Sequence, residues 1–151
     1  MTVATTPAIV QLCWVEKDKT VTVTPEDENR FVTNVEHAIK ACKAYNEQIR
    51  FGRQFKELLE KLACWINLYQ EKTELSIVTI RDSRLLFVVV RKDTAYDEEI
   101  ESSLIDLDIS IANDPELNLI KLSVIDLPNC SPESLMGFLD PQVQMVYKHV
   151  G

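Results

Sequence analysis

Residues 36–72 carry a helical pattern whose two halves disagree, and this disagreement constrains the fold more than any other feature of the sequence. In the first half, apolar side chains recur at spacings of three and four, at Val35, Ala38, Ile39, Cys42, Tyr45 and Ile49. In the second half, the same spacing continues at Phe55, Leu58, Leu59, Leu62, Trp65, Ile66 and Tyr69. At about 100° per residue, the second stripe lies about 150° around the helix axis from the first. A straight helix would therefore have to bury opposite sides at its two ends.

Gly52 lies where the two stripes change phase, and two architectures satisfy the pattern. A break or kink near residues 50–52, which a glycine favours, would let the two halves fold back on each other. A continuous helix would leave one stripe for a second copy of the chain to cover. We predict a homodimer, and the candidate interface residues are Ile39, Ile49, Phe55, Leu62 and Ile66.

Two pairs of strands flank the helical stretch. Residues 9–15 and 20–23 are β-branched or alternating, and the short charged segment 16–19 predicts a hairpin between them. Residues 75–80 and 85–90 predict a second hairpin through the polar turn 81–84, whose lack of glycine weakens a type I′ turn without excluding it. The last of these strands is apolar on both faces. We therefore expect this hairpin at the centre of the sheet, covered on both sides.

The C-terminal third is harder to assign. Residues 97–113 fit both a helix and, over 105–111, an alternating strand; the acidic first turn and the stop at Asn113 favour the helix. A strand over 119–125 and a short helix over 131–139 follow, and the tail 143–150 is too short to assign.

The fold prediction follows from this order of elements. It is an α+β fold, with an antiparallel or mixed sheet of about five strands packed by one long helix, straight or kinked, and two shorter helices, in the order ββ-α(α)-ββ-α-β-α. Residues 1–151 form one domain, and residues 1–8 are a frayed lead-in.

Charge and cysteine usage limit the partners and the compartment. The net charge is −8, and residues 93–140 contain twelve acidic residues against Lys121 alone. Such a surface disfavours nucleic acid and anionic membranes as partners and permits a basic one. The four cysteines are scattered, which predicts free thiols in a reducing cytoplasm.

The residue patterns of common enzymes are missing from the sequence. It contains no nucleophile-elbow, zinc-protease, dinucleotide or phosphate-loop motif. Two histidines, His37 and His149, are not accompanied by a local catalytic partner, and Asp106 and Asp108 point apart on a helix. We therefore predict no enzyme activity, no cofactor and no metal.

One basic cluster remains as a candidate site. Arg50, Arg53 and Lys56 recur every third residue among Phe51 and Phe55, and we call these three cations the basic edge. They suit a phosphate or an acidic peptide, and they equally suit ion pairs with the acidic C-terminal third.

Two functions therefore compete at the level of sequence. The first is a non-catalytic protein-interaction or adaptor module that acts as a homodimer. The alternative is a small-ligand or anion-binding sensor, or an enzyme whose site is assembled from distant residues around Arg50, Arg53 and Lys56. A large apolar pocket with a few converging polar groups would favour the alternative.

Overall fold

The structure is a computed structural model that describes residues 9–15 and 20–149, without the side chain of His149. The expected lead-in 1–8 and the expected charged turn 16–19 lie outside the described residues. The strands are β1 (Ile9–Val15), β2 (Thr20–Val23), β3 (Thr73–Arg81), β4 (Arg84–Arg91), β5 (Leu122–Leu127) and β6 (Gln144–His149). The helices are α1 (Glu28–Ala41), α2 (Gln48–Tyr69), α3 (Glu98–Ala112) and α4 (Pro132–Met136).

The strands form one mixed sheet in the order β2-β1-β6-β3-β4-β5. The predicted α+β class is confirmed, but the sheet has six strands. The additional strand is β6, which lies in the tail left unassigned, parallel to β1 and antiparallel to β3. Its apolar residues alternate over too short a distance to stand out in the sequence, yet Met145 and Tyr147 are buried in the main core. The strand that joins the two hairpins is therefore the one without a strong sequence pattern.

The β3–β4 hairpin lies inside the sheet, although one strand away from its centre. Its turn residues Asp82 and Ser83 both have positive φ, at 53° and 59°. Two consecutive positive φ values are the geometry of a type I′ turn, which matches the right-handed twist of the hairpin strands. The turn adopts this geometry without a glycine.

The two faces of the sheet are covered unequally. Helices α1, α2 and α3 pack on one face and form the main core with residues such as Leu12, Phe55 and Phe87. On the opposite face, Leu135 of α4 packs with Ile77 and Val88 in a smaller cluster. The second cover expected for β4 is therefore the short helix α4.

The helical stretch does break, but before residues 50–52. Helix α1 ends at Ala41 and α2 begins at Gln48, so the break at 50–52 and the continuous helix are both wrong. Lys43 has a φ of 55°, the Ala44 N–H donates to the Ile39 carbonyl at 2.9 Å, and the Lys43 N–H donates to the Lys40 carbonyl at 3.2 Å. This is a Schellman ending, in which the left-handed position usually holds glycine. A lysine there hides the break from sequence reasoning.

The ambiguous segment 97–113 is helical as predicted. The Asp97 carboxylate accepts a hydrogen bond from the Ile100 N–H at 3.1 Å and caps α3. Helix α3 connects the parallel strands β4 and β5 and covers them on the core side. Among the helices of the described residues, none has the length and hydropathy to cross a bilayer.

Candidate functional site

The structure divides the predicted basic edge between two recesses. Arg50 forms an ion pair with Glu47, and its guanidinium lies 3.4 Å from the Asn118 side-chain oxygen. Arg50 and Arg53 line a recess of about 230 Å³ that also holds Glu57 and Glu116. The two glutamates oppose a bound anion, because they contribute negative charge to the same recess. The anion site predicted at Arg50 and Arg53 therefore shares its recess with two carboxylates, and it stays a prediction.

Lys56 lies at a different recess, which we call the apolar pocket. It has a volume of about 370 Å³, within the range of ligand sites. Its walls come from β1, β2, α1 and α2, and its lining residues are Leu12, Val21, Val23, Phe31, Val35, Gly52, Phe55, Lys56 and Leu59. Among the described residues that line it, Lys56 is the one charged group, and its side chain is exposed.

The floor of the apolar pocket consists of buried, closely packed side chains. Leu12 and Phe55 are 0% and 1% exposed, so the floor belongs to the main core. The Phe55 ring stacks on Phe31 of α1 with centroids 6.2 Å apart, and on Phe51 with centroids 5.7 Å apart. Rings in contact on both sides have little freedom to move into the space. The cavity is therefore held open by packed aromatic side chains.

Gly52 opens onto this space from the fifth position of α2. A Cβ built at Gly52 would meet no atom within 4 Å, so no neighbouring backbone requires a glycine here. Like the other glycine of the described residues, Gly52 does not have a positive φ. A glycine within a helix costs roughly 0.5–1 kcal/mol relative to alanine. Neither a turn nor a close helix contact accounts for that cost.

A buried carboxylate anchors the wall formed by α1. Asp27, just before α1, accepts hydrogen bonds from the Thr24 hydroxyl at 2.7 Å and from the Gln11 backbone N–H at 3.0 Å. Arg30 donates to the other carboxylate oxygen at 3.1 Å. The Thr24 hydrogen bond, followed by that from Gln11, lowers the pKa of Asp27. This network ties the start of α1 to β1 and so fixes the position of Phe31.

The predicted dimer residues do not form one surface. Ile39, Phe55 and Leu62 are 8%, 1% and 0% exposed and belong to the chain's own main core. An interface through these three is therefore wrong, since the break at Lys43 lets α1 and α2 both turn their apolar stripes toward the sheet. Ile66 is partly buried against the same core, and Ile49 alone is open, at 84% exposure.

Sequence reasoning missed an ion pair at the other end of the sheet. Arg91 ends β4 and Asp126 lies on β5, and their side chains meet at 2.6 Å with 8% and 13% exposure. Arg91 follows Phe87 and Val89 at alternate positions on the core-facing side of β4. A charged residue in this otherwise apolar series was the signal in the sequence that could have revealed the buried ion pair. The pKa of Asp126 is raised, with burial as the largest cause, although the Arg91 guanidinium acts to lower it.

Metal-ligating side chains do not gather in the part of the chain that the structure describes. Within residues 9–15 and 20–149, no three His, Cys, Asp or Glu side chains cluster as metal ligands would. All four cysteines are free, as predicted, although Cys64 is exposed and Cys42 is buried.

Comparison of the chain with protein-family models, with curated proteins and with solved structures finds no match.

Proposed function

We propose that this chain is a non-catalytic binding protein for a small, mostly apolar molecule that carries one negative charge. The observation that carries the proposal is Gly52, which leaves space within a helix where the fold itself requires none. Gly52 lines the apolar pocket at an exposed position, so a larger side chain there would compete with a bound molecule for the same space. The cost of a glycine within a helix is then accounted for by ligand binding.

The lining of the apolar pocket selects the class of ligand. Its volume of about 370 Å³ corresponds to roughly twelve water molecules, and its walls offer few hydrogen-bond partners to them. A hydrocarbon or aromatic body would lie against Phe31 and Phe55. Lys56 at the rim would face an anionic end group. Carboxylates and sulfonates with apolar bodies fit this description.

Binding of anilinonaphthalene sulfonate, an apolar fluorescent anion, tests the proposal. We expect saturable binding to the folded protein, with decanoate as a competitor that is stronger than decanol. Gly52→Leu should weaken binding by at least about tenfold, because its side chain would fill the pocket without a backbone clash. Lys56→Glu should weaken binding of the sulfonate by about fivefold, as is usual for an exposed charge.

Two matched variants serve as controls. Gly52→Ala adds one methyl group and should retain most binding, while Arg53→Glu makes the same charge change on the same helix but at the other recess. If Gly52→Leu binds the dye as tightly as the wild-type protein, the apolar pocket is not the site. If Arg53→Glu has the larger effect, the anion site predicted at Arg50 and Arg53 replaces it.

The cytoplasm is the compartment that we propose for this activity. Four free cysteines support a reducing environment. Titration of thiols in the denatured, unreduced protein should find all four, and fewer would contradict this assignment.

A further inference from the structure

Strand β5 presents a free edge, because among the described strands it pairs with β4 alone. The Leu85 N–H donates to the Lys121 carbonyl at 2.8 Å, which directs the backbone of residues 121, 123, 125 and 127 toward β4. The backbone N–H and C=O groups of residues 122, 124 and 126 therefore point away from β4, toward the free edge. The Leu122 carbonyl accepts from Arg84 at 2.9 Å, whereas Val124 and Asp126 have no backbone partner among the described residues.

A cavity of about 420 Å³ lies along this edge, beside α3. Its lining residues are Arg91, Tyr96, Glu101, Leu104, Ile105, Val124, Ile125, Asp126 and Pro128. Val124 belongs to the core side of β5 and Ile125 to the opposite side, so the cavity spans the strand edge. Ile105 is 50% exposed and provides an apolar contact on α3. We call this cavity and the adjacent strand edge the β5 groove.

The polar groups of the β5 groove are incompletely satisfied. Arg91 is 8% exposed at its side chain, and its Nε has no hydrogen-bond partner among the described residues. Oδ1 of Asp126 is equally without one, although Oδ2 is paired with Arg91. Buried polar atoms in native structures normally have partners. A donor placed at Oδ1 and an acceptor placed at Nε would complete the pair.

The charge around the β5 groove favours a positively charged group as the hydrogen-bond donor to Asp126. Asp97 and Glu101 lie close enough to Asp126 to raise the pKa of its carboxyl, after the larger effect of burial. Residues 93–140 hold twelve acidic residues and one lysine. A cation is the donor that this field attracts most strongly.

We infer that the β5 groove binds an extended, basic segment of a partner protein. The segment adds a strand to β5 and pairs its backbone with Val124 and Asp126. One of its Lys or Arg side chains enters the cavity and donates to Asp126 and Glu101. Its apolar residues lie on Ile105. The backbone pairing supplies affinity, and the buried carboxylate supplies the preference for a cation.

A second copy of this chain is a poor occupant of the β5 groove. Two β5 strands paired across a two-fold axis would bring both Asp126 side chains and both acidic α3 helices together. The negative charges of the two copies would repel each other across this interface. The partner is therefore a different, basic protein segment.

A fluorescein-labelled peptide of nine alternating valines and lysines tests the inference by fluorescence anisotropy. We expect it to bind, and we expect a glutamate version and a version N-methylated at every second residue to bind at least about tenfold more weakly. Asp126→Asn should weaken the lysine peptide by at least about tenfold. Val124→Pro should do the same, because it removes an outward N–H that β4 does not use. Glu36→Gln, an equal charge change on the exposed face of α1, should have no effect.

Hydrogen exchange separates a groove from general attraction to an acidic surface. The lysine peptide should slow exchange of the Val124 and Asp126 amides. Equal binding of the N-methylated peptide, or equal binding to Asp126→Asn, would overturn the inference. If Val124→Pro does not fold, the N-methylated peptide still tests backbone pairing. The protein could instead form a dimer in which both amides already exchange slowly and which the peptide does not change. That result would assign the β5 edge to a second copy of the chain and would also overturn the inference.

Discussion

The two ends of the sheet carry recesses of similar size that are built in opposite ways. Beside β1 and β2, the apolar pocket of about 370 Å³ has apolar walls, and the exposed Gly52 contributes no side chain to it. Beside β5, the cavity of about 420 Å³ is bordered by a buried ion pair with two unpartnered atoms. The recess beside β1 and β2 is an apolar space without a side chain to fill it. The cavity beside β5 is bordered by polar atoms without hydrogen-bond partners among the described residues.

This difference determines what each end can recognise. The apolar pocket selects a ligand mainly by its apolar body, and salt should weaken only the smaller contribution from Lys56 at the rim. A recess bordered by an incompletely paired carboxylate selects by charge, and its binding should weaken as ionic strength rises. We therefore expect mutations at one recess to leave binding at the other unchanged.

The largest effect should come from breaking the buried ion pair. Arg91→Met leaves Asp126 buried without its partner, and this should reduce the free energy of unfolding by about 3 kcal/mol near neutral pH. Urea denaturation followed by tryptophan fluorescence measures it. The loss should shrink at mildly acidic pH, where the unpaired carboxyl takes up a proton.

The double variant Arg91→Met/Asp126→Leu is the control for this loss. With both charges replaced by apolar groups, its stability should return to within about 1 kcal/mol of the wild type. A double variant as unstable as Arg91→Met would mean that the arginine acts through its packing and not through its charge.

Acid should affect the two ends in opposite directions. The pKa of Asp27 is lowered from its usual value of 3.8, so its stabilising contribution holds above that value and is lost as pH falls through the lowered pKa. The pKa of Asp126 is raised, so its ionisation destabilises the fold, and stability rises as pH falls from neutral toward 3.8.

Two asparagine variants measured across pH separate these contributions. Asp27→Asn should cost about 1–3 kcal/mol near pH 7, and its difference from the wild type should narrow below about pH 4. In Asp126→Asn, the rise in stability toward pH 4 should disappear. A constant difference between Asp27→Asn and the wild type across pH would contradict the assignment.

Smaller and stabilising effects are expected at two positions whose residues do not suit their backbone. Lys43→Gly should raise the free energy of unfolding by about 1 kcal/mol, because lysine is strained at a φ of 55°. Gly52→Ala should raise it by a similar amount through helix propensity. Thermal unfolding measures both. Loss of stability in Gly52→Ala would show that the glycine is required by the fold.

The smallest effect on folding should come from Ile49. At 84% exposure, Ile49→Glu should change stability by less than about 0.5 kcal/mol. The homodimer remains a prediction, and it would need a surface outside both recesses. Light scattering should report about twice the 17.3 kDa chain mass, and Ile49→Glu should shift it toward one chain. A wild-type mass of one chain would remove the dimer.

Most of the fold could be predicted from periodicity, and the errors have identifiable causes. The β3–β4 hairpin was predictable from its apolar spacing, whereas α3 was predictable only because its acidic first turn and its stop at Asn113 decided between helix and strand. The break after α1 was not, since Lys43 occupies a position where glycine is expected. Gly52 attracted the prediction instead, because the sequence does not reveal whether a glycine faces backbone or open space.

The candidate site was less predictable than the fold. Lys56 was identified from the sequence, but its separation from Arg50 and Arg53 depends on which recess each side chain enters. The apolar pocket combines residues from four elements, and Val21 and Phe31 meet only after the sheet and helices pack. Arg91 and Asp126 are 35 residues apart in the chain, and no local pattern connects them.

The position of β6 has a consequence for biosynthesis. Ile9 of β1 pairs with Gln144 of β6, so the two hairpins cannot be joined until the ribosome has synthesised residues 144–149. At about 5–20 residues per second, the β1–β2 hairpin waits on the order of ten seconds for its neighbour. During that interval β1 and β3 both present uncovered edges, which favour aggregation. Nascent chains arrested before residue 144 should therefore depend on chaperones, and release of β6 from the ribosome should end that dependence.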